Sequence, residues 1–112
     1  MAILDRRSGQ ERREVGRYVV NINVEWEGAV GRKEGTISDL SIGGCFVMCS
    51  GEVDDGEKVK IFLPLADGMK VEFRGEVVNH VIEIGFAVRF IEMTEARKEF
   101  LTKLIKNVKV KE

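Results

Sequence analysis

The chain has no apolar run approaching the roughly 20 residues a membrane-spanning helix needs, so helical insertion into a bilayer is excluded. Its opening Met1-Ala-Ile-Leu4 gives way at once to Asp5-Arg6-Arg7. No signal-peptide core forms there, and the expected location is the cytoplasm. Cysteine is scarce: only Cys45 and Cys49 occur. Four residues apart in one strand, their Cα atoms would lie about 13 Å apart, beyond disulfide reach. They read as small core residues on one face. His80 is the only histidine, and with two cysteines at that spacing it makes no zinc set. Repeats and low-complexity segments are missing as well.

A large excess of either charge is also missing, since the net charge is −1. Its distribution is uneven. Residues 1–17 hold five arginines (Arg6, Arg7, Arg12, Arg13, Arg17) against Asp5, Glu11 and Glu14, whereas the rest of the chain is net acidic. A cationic leader on a mildly anionic body suits a small anionic partner held locally; a long polyanion would need a broader basic stripe.

What is present fits one soluble domain. The 112 residues, 44% hydrophobic and 33% charged, can bury roughly two-thirds of their unfolded surface. Residues 1–16 lack apolar periodicity, with Gly9 and Gly16 as flexible points. They are expected to form a mobile arm. From Arg17 the pattern changes abruptly. Tyr18, Val20, Ile22, Val24 and Trp26 alternate with polar or exposed positions through Glu27, a half-buried strand. A turn over Gly28 to Gly31 leads to a second strand at 32–38, with Gly35 read as a bulge. A third strand follows at 44–49. Turn chemistry fills Ser50 to Glu57. Val59, Ile61 and Leu63 make a fourth strand ended by Pro64, and Asp67-Gly68 is a hairpin signal. Alternation over 71–77 and 84–90 gives a fifth and sixth strand, with His80 in the turn between them. Six short strands suggest an antiparallel barrel, whose closure removes exposed edges. Thr94 is a natural N-cap for a last helix. Its Ala96, Phe100, Leu101, Leu104, Ile105 and Val108 form an apolar stripe facing the barrel, and Lys103, Lys106 and Lys109 a solvated face.

The strands are interrupted by Ser38-Asp-Leu-Ser-Ile-Gly-Gly44. Taken alone, this stretch is a turn in which Asp39 and Ser41 bond their own backbone. If it is extended, Asp39 and Ser41 share one side as a polar shelf, and paired glycines let the backbone lie close to a flat ligand. The arginines add weight to the second reading. Arg13 and Arg17 stand at R-x-x-x-R spacing just before the first strand, with Arg12 directly ahead. A guanidinium can fork onto a phosphate, bond the O6 and N7 edge of guanine, or stack on a purine.

In this order, Arg13-Glu-Val-Gly-Arg17 followed by Asp39-Leu-Ser-Ile-Gly-Gly44, the chain resembles a PilZ domain, the bacterial receptor module for cyclic di-GMP. The resemblance extends to the Gly85-Phe-Ala-Val-Arg-Phe90 strand and the closing helix. It implies an all-β fold: a six-stranded antiparallel, split β-barrel (17–112) with a C-terminal α-helix, preceded by a ligand-binding arm (1–16). It implies that Arg13 and Arg17 hold guanine and phosphate, that Asp39 and Ser41 meet guanine and ribose or phosphate, and that Gly43 and Gly44 permit close approach. Arg12 takes the place whose arginine accompanies an intercalated ligand dimer in the family. Glu14 puts a negative charge inside the arginine loop. The expected function is non-enzymatic binding, with no metal or cofactor, signalled to a downstream protein or by self-association.

Three other readings remain. A single-stranded nucleic-acid barrel calls for outward aromatic platforms and a cationic groove, but most of the aromatics fall on the core alternation and the body is acidic. An enzyme calls for a base beside Ser41, and none is assured. A PilZ-like adaptor that has lost its ligand is the third.

Overall fold

The computed structural model describes residues 17–65 and 68–109, with side chains through residue 107. The arm at 1–16, with Arg12 and Arg13, and the hairpin residue Asp67 lie outside the described residues, as do the side chains of Val108 and Lys109. Six strands, β1 (Tyr18–Gly28), β2 (Gly31–Leu40), β3 (Gly44–Met48), β4 (Lys58–Pro64), β5 (Lys70–Val81) and β6 (Gly85–Ile91), precede helix α1 (Glu95–Lys109). They close into an antiparallel barrel in the order β1-β2-β3-β6-β5-β4. Closure gives every strand a neighbour on both sides.

The alternating apolar positions point inward as the period of two demands. Val24, Trp26, Ile37, Val47, Ile61, Leu63, Phe73, Phe86 and Val88 are all buried. Trp26 meets Phe86 edge-on at 4.8 Å between ring centroids, and Phe73 packs on Phe90 at 5.3 Å. Helix α1 seals this core with buried Leu101 and Ile105 and sets Phe100 5.9 Å from Phe73. Thr94 caps the helix as expected, its Oγ1 accepting the Arg97 N–H at 3.2 Å. Arg97 then ties the first turn to the barrel, donating from Nε to the Glu72 carbonyl at 2.8 Å. Ala96 is exposed rather than packed, while Lys103 and Lys106 are exposed as expected.

Three local expectations change. Gly35 is not a bulge: it pairs regularly with Val24. A Cβ there would crowd Val47 Cγ1 at 2.8 Å and Trp26 Cδ1 at 3.4 Å, so the glycine makes room for the indole. The bulges lie elsewhere. β2 slips register against β3 between Ile37 and Asp39, and β5 slips against β6 between Val77 and Asn79. Each extra residue lets the strand continue past its expected end. β2 therefore runs to Leu40, and β5 runs to Val81. His80 consequently sits in β5 opposite Phe86, not in a turn. None of the helices among the described residues is long and apolar enough to cross a membrane.

Candidate ligand-binding site

The register that closes β1 on β2 sets the site. Tyr18 pairs with Leu40 and Val19 with Asp39, so Arg17, one residue before β1, arrives beside the last turn of β2. The Ser38 bulge keeps Ile37 and Leu40 inward although they are three apart, and turns Asp39 outward between them. Arg17 meets that carboxylate side-on: Nε donates to Oδ1 at 3.3 Å and Nη2 to Oδ2 at 3.2 Å. The guanidinium side chain is 62% exposed and the carboxylate side chain 27%. The fork is open to solvent, so it contributes little to stability and can exchange partners cheaply.

Ser41 behaves differently. β2 ends at Leu40, so the extended shelf shared by Asp39 and Ser41 does not form. Ser41 is buried, and its Oγ accepts the N–H groups of Gly43 at 3.1 Å and Gly44 at 3.2 Å. The hydroxyl donates to the Gly44 carbonyl at 3.3 Å, which also accepts the Ser41 N–H at 2.8 Å. The hydroxyl is thus committed to its own turn, the simpler of the two readings of this stretch. That commitment suits a brace and not a nucleophile. The turn is pinned to β6 by the Phe90 N–H, which donates to the Gly43 carbonyl at 2.9 Å.

Gly44 opens β3 against β6, and a Cβ there would run into the Val88 carbonyl oxygen. Its close approach is to the neighbouring strand. Gly43 faces open space, with Ser41 Oγ the nearest atom to a Cβ at 3.9 Å. Inside the barrel wall beneath the fork lies Cys45, a free thiol. Burial pushes its pKa up, the Asp39 charge adds to the rise, and Arg17 opposes it. It stays a neutral core thiol.

Arg17, Ser41, Gly43, Gly44 and Cys45 border a shallow cavity of about 190 Å³. Besides these it is lined by Val78 of β5 and by Ala87, Val88 and Arg89 of β6. Arg89 Nη2 holds Glu76 Oε1 at 2.7 Å, with the arginine side chain 60% exposed. A larger cleft of about 500 Å³ lies across β1, β2 and β4 and is lined by Glu25, Glu34 and Lys70. There Lys70 at 3.1 Å and Arg32 at 3.3 Å share Glu25 Oε1. Lys70 and, less strongly, Arg32 hold that carboxyl below its ordinary pKa.

The fold thus gathers Arg17, Asp39, Ser41, Gly43 and Gly44 at one place; Arg12 and Arg13 lie outside the described residues. Sequence reasoning missed Val78 and Arg89. Arg89 had one signal, an outward position in the sixth strand's alternation, but nothing local tied that strand to the turn. Among the described residues no cluster of three or more His, Cys, Asp and Glu side chains could hold a metal ion.

The small closed barrel thus carries an arginine-carboxylate fork beside a shallow cavity. The chain belongs to the PilZ domain family, whose model matches residues 10–107. That span takes in Arg12, Arg13 and Arg17 as well as Asp39 to Gly44. Among solved structures, the chain is similar to the PilZ domain of CeSA from a cellulose-synthesizing bacterium (TM-score 0.67, 21% identity, covering 84% of this chain and 98% of that one). It is also similar to the PilZ domain of YcgR from Escherichia coli, solved with c-di-GMP (TM-score 0.73, 16% identity, 89% and 93% covered). The Bacillus subtilis inhibitor of motility MotI/DgrA matches at TM-score 0.73 and 14% identity over 90% of this chain, which spans 52% of that protein. At these identities the likeness shows the fold. No curated protein sequence matches the chain.

Proposed function

We propose that the chain is a cyclic di-GMP receptor domain. The observation that carries the reading is the solvent-open fork of Arg17 on Asp39 at the mouth of the glycine-lined cavity. Family membership supports it, as does the similar YcgR domain with c-di-GMP. Ligand arrival exchanges partners. Arg17 turns from Asp39 to a phosphate or to the guanine edge, and the released carboxylate accepts guanine N–H groups. Because the pair it replaces is exposed, the exchange costs about 0–1 kcal/mol.

Arg13 supplies the second guanidinium and Arg12 a third, as residues 1–16 close over the cavity. Gly43 lets the ligand lie close to the backbone, while Ser41 and Gly44 hold the turn that presents it. Charge-assisted bonds contribute about 1.5–3 kcal/mol each, and ordering an arm costs several kcal/mol. The balance is roughly micromolar binding. Closure of the arm is the output, read in the cytoplasm by another protein or through self-association. No catalysis, cofactor or nucleic-acid polymer is involved. On the outer wall Arg32, Lys70 and Arg74 each pair with a carboxylate, and none of the three lines the cavity beside Arg17.

Calorimetric titration of the whole chain with cyclic di-GMP, alongside GTP and cyclic di-AMP, tests the reading. Saturable heat at roughly micromolar concentration with cyclic di-GMP alone is expected. Equal binding of all three, or no binding of cyclic di-GMP, would overturn it.

A further inference from the structure

Resting on that reading, we infer that Arg89 is a further ligand-contacting residue, the second cationic jaw of the cavity, with Val78 and Ala87 as the apolar floor between the jaws. Barrel closure places it there. Arg89 is the register partner of Gly44, and a Cβ on Gly44 would lie 3.3 Å from the Arg89 Cα. The hydrogen bond from Phe90 to the Gly43 carbonyl fixes the strand to the turn. The backbone of Arg89 is therefore fixed beside the glycines, and its side chain starts from the cavity's edge.

The floor has the right chemistry for a flat base. Val78 is the extra residue of the β5 bulge and is 50% exposed. Ala87 lies beside it, opposite Asn79. A planar aromatic ring laid on these side chains would cover apolar surface that is otherwise wet. Its edges would then face Arg17 on one side and Arg89 on the other.

Arg89 also shows the same restraint as Arg17. Each guanidinium is held by one carboxylate from a neighbouring strand, Asp39 for Arg17 at 3.2 Å and Glu76 for Arg89 at 2.7 Å. Each arginine is more exposed than its partner. A cation so held is oriented without being used up. Glu76 competes with an anionic ligand for Arg89, as Asp39 does for Arg17.

The test is titration of cyclic di-GMP into the whole chain carrying Arg89→Ala, Arg89→Gln, Glu76→Gln or Arg17→Ala, with the melting temperature of each free variant. Both Arg89 variants are expected to weaken binding about tenfold to a hundredfold, the range for a lost charge-assisted bond. They should melt within a few degrees of the parent, because the ion pair they break is exposed. Glu76→Gln is expected to tighten binding about threefold by removing the competitor. If both Arg89 variants bind within twofold of the parent while Arg17→Ala loses binding, the inference falls and the receptor reading stands. If the parent itself fails to bind, both fall. Equal or weaker binding by Glu76→Gln would overturn the competition between Glu76 and the ligand.

Discussion

The Ser41–Gly44 turn and the rim beside it are neighbours built on opposite terms. In the turn the Ser41 side chain and the Gly43 and Gly44 N–H groups satisfy one another. The Ser41 hydroxyl joins two N–H groups and a carbonyl, and Gly44 is required by the backbone of β6. On the rim, Arg17 and Arg89 each hold a carboxylate in solvent, where such pairs contribute little to stability. The lesson concerns the motif Asp39-x-Ser41-x-x-Gly44 itself. Its letters are of two kinds: Ser41 and Gly44 build the scaffold, whereas Asp39 pairs with Arg17 on the open rim, where the proposed function puts the ligand.

That division can be broken from the scaffold side first, where the effects are largest. Gly44→Ala forces a methyl group against the Val88 carbonyl, backbone against backbone, so neither side can yield by a rotamer change. A loss of about 3 kcal/mol is expected, seen as a fall of about 10 °C or more in melting temperature by calorimetry. A variant melting like the parent would show that Gly44 is not held by the barrel. Ser41→Ala removes one acceptor from two N–H groups of a half-buried turn. It should cost about 1–2 kcal/mol, or roughly 4–8 °C, and should weaken ligand binding only through the loosened turn. Should Ser41→Ala abolish binding without any change in melting, Ser41 would move from the scaffold group to the contact group.

Much of the barrel was legible in the sequence because period-two alternation is a direct consequence of strand geometry. Val24 and Trp26 of β1, Val59, Ile61 and Leu63 of β4, and Phe86, Val88 and Phe90 of β6 are buried as their spacing requires. Thr94 announced its helix equally well. Legibility failed at the bulges. Ile37 and Leu40 both face inward although three residues separate them, so a strict alternation ends β2 too early. Val78 does the same to β5 and hid the strand position of His80. Gly35 was misread because a glycine can serve a bulge or a large neighbour, and only the packed indole of Trp26 decides between them.

The site was legible in part for the same reason. Arg17, Asp39 and the two glycines are close in the chain or across one hairpin, and their chemistry is visible in their spacing. Arg89 is brought in by the pairing of β3 with β6, a long-range consequence of barrel closure with no local signature. Ser41 carries the right chemistry for a contact, yet its hydroxyl turns inward, since a half-buried turn must satisfy its own N–H groups before it can serve anything else.

The distinction between scaffold and rim is tested most directly at Arg17. Measuring both cyclic di-GMP affinity and melting temperature for Arg17→Ala should show binding weakened by about a hundredfold or more, as expected when a forked guanidinium is lost. The free protein should meanwhile melt within about 3 °C of the parent, because the bond to Asp39 is exposed. Affinity unchanged beside a large fall in melting temperature would place Arg17 in the scaffold and contradict the account.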